Sequence, residues 1–177
     1  MAEWQRQYTA DSRRQFKLKP FEERDVDVAI DACGVCGSDV HTITGGWGDA
    51  PLPLCVCHEV VGRVVRVGAA VTTVKPGDRV GVGAQIGADL DCGNCRAQQE
   101  NYCPNMVDTY GATYPDGTVS QGGYSSHMRA HEYFTFKIPD NLETSNVAPM
   151  LCAGLTTYSP LVRLGAGPGK KVGVVGM

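Results

Sequence analysis

The chain predicts a mainly β fold, an antiparallel and barrel-like sheet with short helices, and three observations carry that prediction. Residues 26–32 read Val-Asp-Val-Ala-Ile-Asp-Ala and residues 59–67 read Glu-Val-Val-Gly-Arg-Val-Val-Arg-Val, the patterns of strands with an inner face. Glycine is frequent, with 22 in 177 residues, and turn chemistry such as Val74-Lys75-Pro76-Gly77-Asp78 separates the apolar runs. After Pro139-Asp140 the texture changes to helical spacing.

Taken in order, residues 79–82 follow the 74–78 turn as a third strand, and residues 124–129 and 133–138 read as a further strand pair. Thr144 or Ser145 can cap a helix running toward Leu151 and Cys152. Residues 155–163 continue with helical spacing, with Pro160 expected to start or kink a segment. The stretch Gly165-Ala-Gly-Pro-Gly169 is a loop, and residues 171–175 form a short apolar run of the kind found in a buried parallel strand. We therefore expect one domain over 1–142 and an appendage over 143–177.

With 42% hydrophobic and 20% charged residues, the chain has enough apolar material for one core and part of a second. A net charge of −3 gives no electrostatic reason for a nucleic-acid partner or an anionic membrane surface. Residues 1–17 are polar, with Arg6, Arg13 and Arg14 and no apolar segment behind them, and nowhere is an apolar run long enough to span a bilayer. A soluble, cytoplasmic protein is expected. In that compartment eight cysteines argue for metal ligation rather than a disulfide framework.

Two groups of residues fit metal chemistry. Cys36, His58 and Cys152 offer two thiolates and an imidazole, the three mixed ligands of a catalytic zinc with an exchangeable position, and Glu59 stands by as a carboxylate that can enter or leave. Spacing alone does not unite residues so far apart, since a buried Cys or His is ordinarily inert core. The second group is local: Cys92-Gly-Asn-Cys95, then seven residues before Cys103, the texture of a structural zinc site.

Context raises the specificity. The motifs Cys33-Gly-Val-Cys36-Gly-Ser38-Asp39-Val-His41, Cys57-His58-Glu59-Val-Val-Gly62, Val74-Lys-Pro-Gly-Asp78-Arg79-Val80, Gln121-Gly-Gly-Tyr124 and Leu151-Cys152-Ala-Gly154-Leu-Thr-Thr-Tyr158 resemble the zinc-containing medium-chain alcohol dehydrogenases. Within them, the NADP-dependent, cinnamyl-alcohol-dehydrogenase-like branch is most similar. That resemblance implies a GroES-like, partly open β-barrel over 1–142, followed by a helical linker and the first strand of an incomplete Rossmann domain. The chain then looks like the front half of an enzyme.

The resemblance further implies that Cys36, His58 and Cys152 bind the catalytic zinc, with Glu59 as the labile fourth ligand and Cys33 as a neighbour only. It implies that Ser38 hydrogen-bonds the substrate oxygen and passes its proton toward His41 by way of the cofactor ribose, while Asp39 holds the His58 ring. Read without the family, Ser38 serves equally as a turn or cap residue, Asp39 as an N-cap, and His41 as a solvent-facing ring. The reaction implied is interconversion of primary alcohols and aldehydes with NADP(H), and the full-length parent is implied to be a homodimer. A non-catalytic zinc-binding or assembly module is the rival reading, and a metal-free quinone reductase of the same superfamily is disfavoured by the retained ligands.

The sequence departs from the family pattern in two places. Cys57 precedes His58 where the family usually has glycine, and it can pack as a small hydrophobe or act as another thiolate ligand. Asp89 stands three positions before Cys92, where the family has a further cysteine. Three thiolates and a carboxylate can still close a tetrahedral shell, so Asp89, Cys92, Cys95 and Cys103 are expected to form a weakened structural site, and a metal-free cluster there would be an oxidisable loop.

Trp47, in Gly45-Gly46-Trp47-Gly48, is readable as a wall of the substrate pocket suggested by the resemblance, or as an exposed or core-packed ring; Met106, Tyr110 and Tyr114 can also approach the pocket. The stretch Gly165-Ala-Gly167-Pro-Gly169-Lys170 is not a phosphate loop, because it precedes a strand-like run and lacks the required glycine-to-lysine spacing. The resemblance places the first glycine of the dinucleotide fingerprint at Gly176. On that reading Val172, Val174 and Val175 should lack sheet neighbours.

Overall fold

The computed structural model describes residues 15–175, and a five-stranded antiparallel sheet dominates it. Strand β1 (Asp25–Cys33) occupies the interior, pairing on one side with β2 (Val60–Val67) and on the other with β6 (His127–His131). Strand β3 (Arg79–Val82) pairs with β2, and the two-residue β7 (Phe136–Lys137) closes the far edge, giving the order β6-β1-β2-β3-β7. Irregularities of register between Asp27 and Val28 and between Ile30 and Ala32 interrupt the β1–β2 ladder. Such interruptions increase strand bending and twist. The architecture is the expected mainly β one.

Side-chain alternation decides which residues form the core. Val26, Val28, Val60, Val64, Val80, Val82, Met128 and Ala130 cluster on one side of the sheet, all at most 2% exposed. A smaller cluster of Val61, Ile138, Val147 and Ala148 forms where the chain leaves the sheet. On the rim, Arg129 of β6 faces Asp27 of β1 in register and donates to both carboxylate oxygens at 2.7 and 3.1 Å, a cross-strand ion pair. Glu132 is 5% exposed, and it accepts from the Thr72 and Thr73 amides at 2.8 and 3.2 Å and from Arg24 at 2.6 Å. One buried carboxylate thereby fixes the loop ahead of β3 to the β6 end.

The helices are short. Helix α1 (Gly37–Ile43) follows β1 directly. A separate lobe carries β4 (Gln85–Gly87), the one-turn α2 (Gly93–Arg96) and β5 (Val107–Asp108), with β4 and β5 paired antiparallel. Beyond the sheet come α3 (Thr144–Val147), a 3-10 turn (Ala148–Leu151) and α4 (Ala153–Arg163). The cap of α3 is Glu143, one residue before the expected Thr144. Pro160 lies inside α4, and its carbonyl accepts the Leu164 N–H at 2.9 Å. No helix among the described residues is long and apolar enough to cross a membrane.

Three expectations change. The strand expected over 124–129 begins later, at His127, and the one expected over 133–138 is mostly a 3-10 turn (Glu132–Phe134), because His131 caps the turn by accepting the Tyr133 N–H at 3.1 Å. Residues 171–175 form no strand, since an isolated apolar run has no ladder to complete. The expected want of sheet neighbours holds: Val172, Val174 and Val175 are 56%, 69% and 101% exposed. Gly176 lies outside the described residues. Finally, Cys33 and Cys57 are joined as a disulfide, against the expectation of metal ligation rather than disulfides and of Cys57 as a packed residue or another thiolate ligand; the other six cysteines are free.

Candidate metal centres

Two cysteine-containing clusters stand out among the described residues. Ligand atoms of Cys36, His58 and Cys152 all lie within 4.8 Å of one another, and so do those of Cys92, Cys95 and Cys103.

The first cluster gathers three segments. Cys36 is the N-cap of α1, its sulfur 3.5 Å from the Ser38 amide and its own amide donating to Asp39 at 3.0 Å, a capping box in which sulfur replaces the usual hydroxyl. His58 enters from the extended segment before β2, and Cys152 sits at the junction of the 3-10 turn and α4. The Cys36 and Cys152 sulfurs are 3.7 Å apart. Two zinc–sulfur bonds at a tetrahedral angle would set sulfurs about 3.8 Å apart, so the gap has the size the ion requires. Nε2 of His58 is buried with no hydrogen-bond partner, although the residue retains 9% exposure. An orphaned imidazole nitrogen beside two thiols matches the donor set of a catalytic zinc.

Electrostatics agrees with that fit. Burial, and then the facing Cys36 thiol, push Cys152 from the ordinary thiol value of 9.0 to about 11. Two adjacent sulfurs resist ionising together in a metal-free site, and a divalent cation reverses this by stabilising both thiolates.

The supporting residues are placed as follows. Asp39 is 2% exposed and accepts from the Cys36 amide at 3.0 Å, the Cys57 amide at 2.9 Å and the Tyr124 hydroxyl at 3.0 Å. It does not hold the His58 ring as expected; its lone pairs go to the backbones of the two ligand-bearing segments. Glu59, 2% exposed, falls outside the three-ligand cluster, and its Oε1 accepts the Ala153 amide at 3.4 Å. Its carboxylate fits only because residue 34 is glycine, where a Cβ would collide with it. The Tyr110 ring stacks on His58 with centroids 5.5 Å apart, and Thr42 Oγ1 lies 3.5 Å from the Tyr110 hydroxyl, which burial raises to about 12. Tyr110, named from the sequence as able to approach the pocket, thus lies against a ligand, whereas nothing local in the sequence marks Tyr124 as a partner of Asp39.

Ser38 Oγ is 3.5 Å from the Cys36 sulfur. His41 follows one turn later on α1 and stacks against Trp47, ring centroids 5.2 Å apart and planes at 22°. Trp47 is 66% exposed, an indole resting on the imidazole rather than in the core.

The second cluster is built locally. Cys92 and Cys95 sulfurs are 3.4 Å apart across α2, and Cys103 follows the next 3-10 turn. Hydrogen bonding from the Cys95 amide lowers the Cys92 thiol, whereas burial and the neighbouring sulfurs push Cys95 up to about 12. Asp89 is not in the three-thiol group. Its Oδ2 is 3.5 Å from the Cys103 sulfur, while Asn105 Nδ2 donates to both of its oxygens at 3.0 and 3.1 Å.

Comparisons with known proteins agree with this geometry. The family profile described as the alcohol dehydrogenase GroES-like domain matches residues 22–140. The chain is 51% identical over 166 residues to NADP-dependent alcohol dehydrogenase 6 of Saccharomyces cerevisiae, covering 93% of this chain and 46% of that protein. It is 46% identical over 163 residues to cinnamyl alcohol dehydrogenase 8 of Arabidopsis thaliana, covering 92% and 45%. Among solved structures, a cinnamyl alcohol dehydrogenase from Sorghum bicolor superposes with a TM-score of 0.83 at 38% identity, covering 88% of this chain and 45% of that one. The Helicobacter pylori enzyme complexed with NADP(H) gives 0.81 at 36%, covering 84% and 44%. The chain spans about half the length of the curated relatives it matches. Sheet order, convergent ligands and these likenesses together identify it as a member of the medium-chain zinc alcohol dehydrogenases, similar to the N-terminal portion of relatives named as NADP-dependent and cinnamyl alcohol dehydrogenases.

Proposed function

We propose that this chain is the metal-binding half of a zinc-dependent oxidoreductase that interconverts primary alcohols and aldehydes with NADP(H), and that it is inactive without a cofactor domain. The observation that carries the reading is the 3.7 Å approach of the Cys36 and Cys152 sulfurs beside the unpartnered Nε2 of His58. When bound, zinc would supply Lewis acidity toward an alcohol or carbonyl oxygen, and a nicotinamide would supply the hydride donor or acceptor. The chain's own residues do the rest. Ser38 holds a proton at Oγ beside the Cys36 sulfur, and His41, one turn along α1, takes it onward. Trp47 covers one face of His41 and adds an aromatic wall suited to an aromatic or medium-length aldehyde, while Tyr110 screens His58. Glu59, held beside Ala153, is the carboxylate that would enter or leave the ligand set.

The domain division proposed is 1–142 for the catalytic unit and 143–177 for the linker into the dinucleotide-binding domain, whose fingerprint would begin at Gly176. The test joins this chain to the C-terminal portion of the yeast relative and measures aldehyde-dependent NADPH oxidation. Turnover by the fusion, its abolition by Cys152→Ala and negligible turnover by the chain alone are expected. A zinc-loaded fusion without turnover overturns the activity, and vigorous turnover by the unfused chain overturns the claim of dependence.

A further inference from the structure

We infer that Cys33 and Cys57 form a reversible thiol–disulfide modification site, oxidised by a hydroperoxide and reduced by a dithiol, whose state sets how firmly His58 is held for metal. The inference rests on the reading above that Cys36, His58 and Cys152 bind a metal ion.

Position comes first. Cys33 ends β1 three residues before Cys36, and Cys57 immediately precedes His58. The two cysteines are bonded with Cα atoms 6.8 Å apart, at the wide end of the disulfide range. The flanking backbones are joined independently of that bond, because Cys33 pairs with Val60 in the ladder and the Gly34 amide donates to the Glu59 carbonyl at 2.9 Å. Reduction therefore leaves the two thiols close together, and re-oxidation is an intramolecular closure. The Gly34 carbonyl, 3.5 Å from the Cys57 sulfur, is an acceptor for the reduced thiol. Space is also reserved, since a Cβ at Gly123 would lie 2.8 Å from the Cys33 sulfur and 3.0 Å from that of Cys57.

Backbone conformation links this pair to His58. Cys57 has φ = 93°, the left-handed region that favours glycine. Three ties hold it there: the bond to Cys33, the Asp39 Oδ1 acceptor 2.9 Å from its amide, and the Gly123 amide, which donates to its carbonyl at 2.9 Å. Reduction removes the covalent tie and leaves the left-handed Cys57 held by hydrogen bonds alone, so the segment that presents His58 is held less firmly while the two thiols stay in reach of each other. The oxidised form described here keeps the three ligand atoms within 4.8 Å of one another.

The chemistry balances. Cys33 is partly exposed whereas Cys57 is fully buried, so the oxidant meets Cys33 first. The Cys33 sulfur attacks one hydroperoxide oxygen, the O–O bond breaks, a sulfenic acid forms and one water leaves. The Cys57 thiol then attacks that sulfur, the S–O bond breaks, a second water leaves and the disulfide is made. Two thiols lose two protons and two electrons, and hydrogen peroxide becomes two waters. A dithiol reverses the result by thiol–disulfide exchange, itself becoming a disulfide.

The test uses the zinc-loaded chain, treated either with dithiothreitol or with one equivalent of hydrogen peroxide, followed by peptide mapping of alkylated cysteines and zinc competition against a chromophoric chelator. Dithiothreitol should expose Cys33 and Cys57 to alkylation, and peroxide should close them again. Zinc affinity of the first cluster, taken as the difference from His58→Ala, should be about tenfold weaker in the reduced state. Cys57→Gly, which suits the left-handed backbone without a bond, should bind zinc equally in both conditions, and Cys33→Ser should behave as reduced in both. Separate alkylation of Cys33 and Cys57 after peroxide, or equal wild-type affinity in the two states, overturns the inference. If His58→Ala and wild type carry the same zinc in both states, the metal reading falls and takes this inference with it.

Discussion

The two cysteine clusters solve the same chemical problem in opposite ways. Cys92, Cys95 and Cys103 are supplied by one short stretch of a peripheral lobe, so their approach needs little beyond a one-turn helix and a 3-10 turn. Cys36, His58 and Cys152 are brought together by the end of β1, the entry to β2 and the start of α4, and their approach requires the whole sheet. Local assembly makes a site whose integrity follows its own loop. Long-range assembly makes one whose geometry reports on the fold, and leaves an imidazole nitrogen buried and unsatisfied until something binds it.

The contrast breaks most visibly by ligand deletion. His58→Ala should remove the zinc of the first cluster while the second keeps its own, measured as zinc per chain after dialysis; loss of both together would show that the sites are not independent. Next in size, Asp89→Cys should restore a fourth sulfur to the local cluster and tighten its zinc at least about tenfold, or ~1.4 kcal/mol, in chelator competition. An unchanged affinity would mean that Asp89, which lies 3.5 Å from the Cys103 sulfur, already completes the shell.

A smaller effect tests how far the first cluster depends on the sheet. Burial opposes ionisation of Glu132, but hydrogen bonds from the Thr72 and Thr73 amides and from Arg24 more than offset it, so its carboxyl sits below the ordinary 4.5. That stability is present above pH 4.5 and is lost as pH falls through the lower folded value. Glu132→Gln should cost about 1–2 kcal/mol in urea unfolding at neutral pH, with the gap to wild type closing in acid. Smallest is the alkaline response of the metal-free chain. Cys152 is raised from 9.0 to about 11, so its contribution is intact below pH 9 and fades as pH climbs toward 11. Zinc should suppress that slope in thermal unfolding, because the metal-bound sulfur is already deprotonated.

Much of this architecture is legible in the chain. The alternation that fills the core marks β1, β2 and β3, and the Lys75–Asp78 turn forms as its residues dictate, with the Lys75 amide donating to the Asp78 carboxylate at 2.9 Å. The Cys92–Cys95 pair is legible because its spacing is its geometry. Helix α1 is not, because valine, isoleucine and threonine give it weak propensity and its cap acceptor is a thiol rather than a hydroxyl. The convergence of Cys152 on Cys36 shows in the residues only through likeness to a family, since no local periodicity encodes a contact across 116 positions. The Cys33–Cys57 bond escapes for a similar reason: the cytosolic argument concerns free thiols in general, whereas the ladder beside them sets this particular pair in reach.

One carboxylate has a mechanical consequence. Asp39 grips the amides of Cys36 and Cys57 and the hydroxyl of Tyr124, so two of the three donors ride on one jaw. Cys152 belongs to the other jaw, tethered through Ala153 and mounted on a helix with no buried residue of its own. Any swing of that helix opens or narrows the gap between the sulfurs while the imidazole stays where it is.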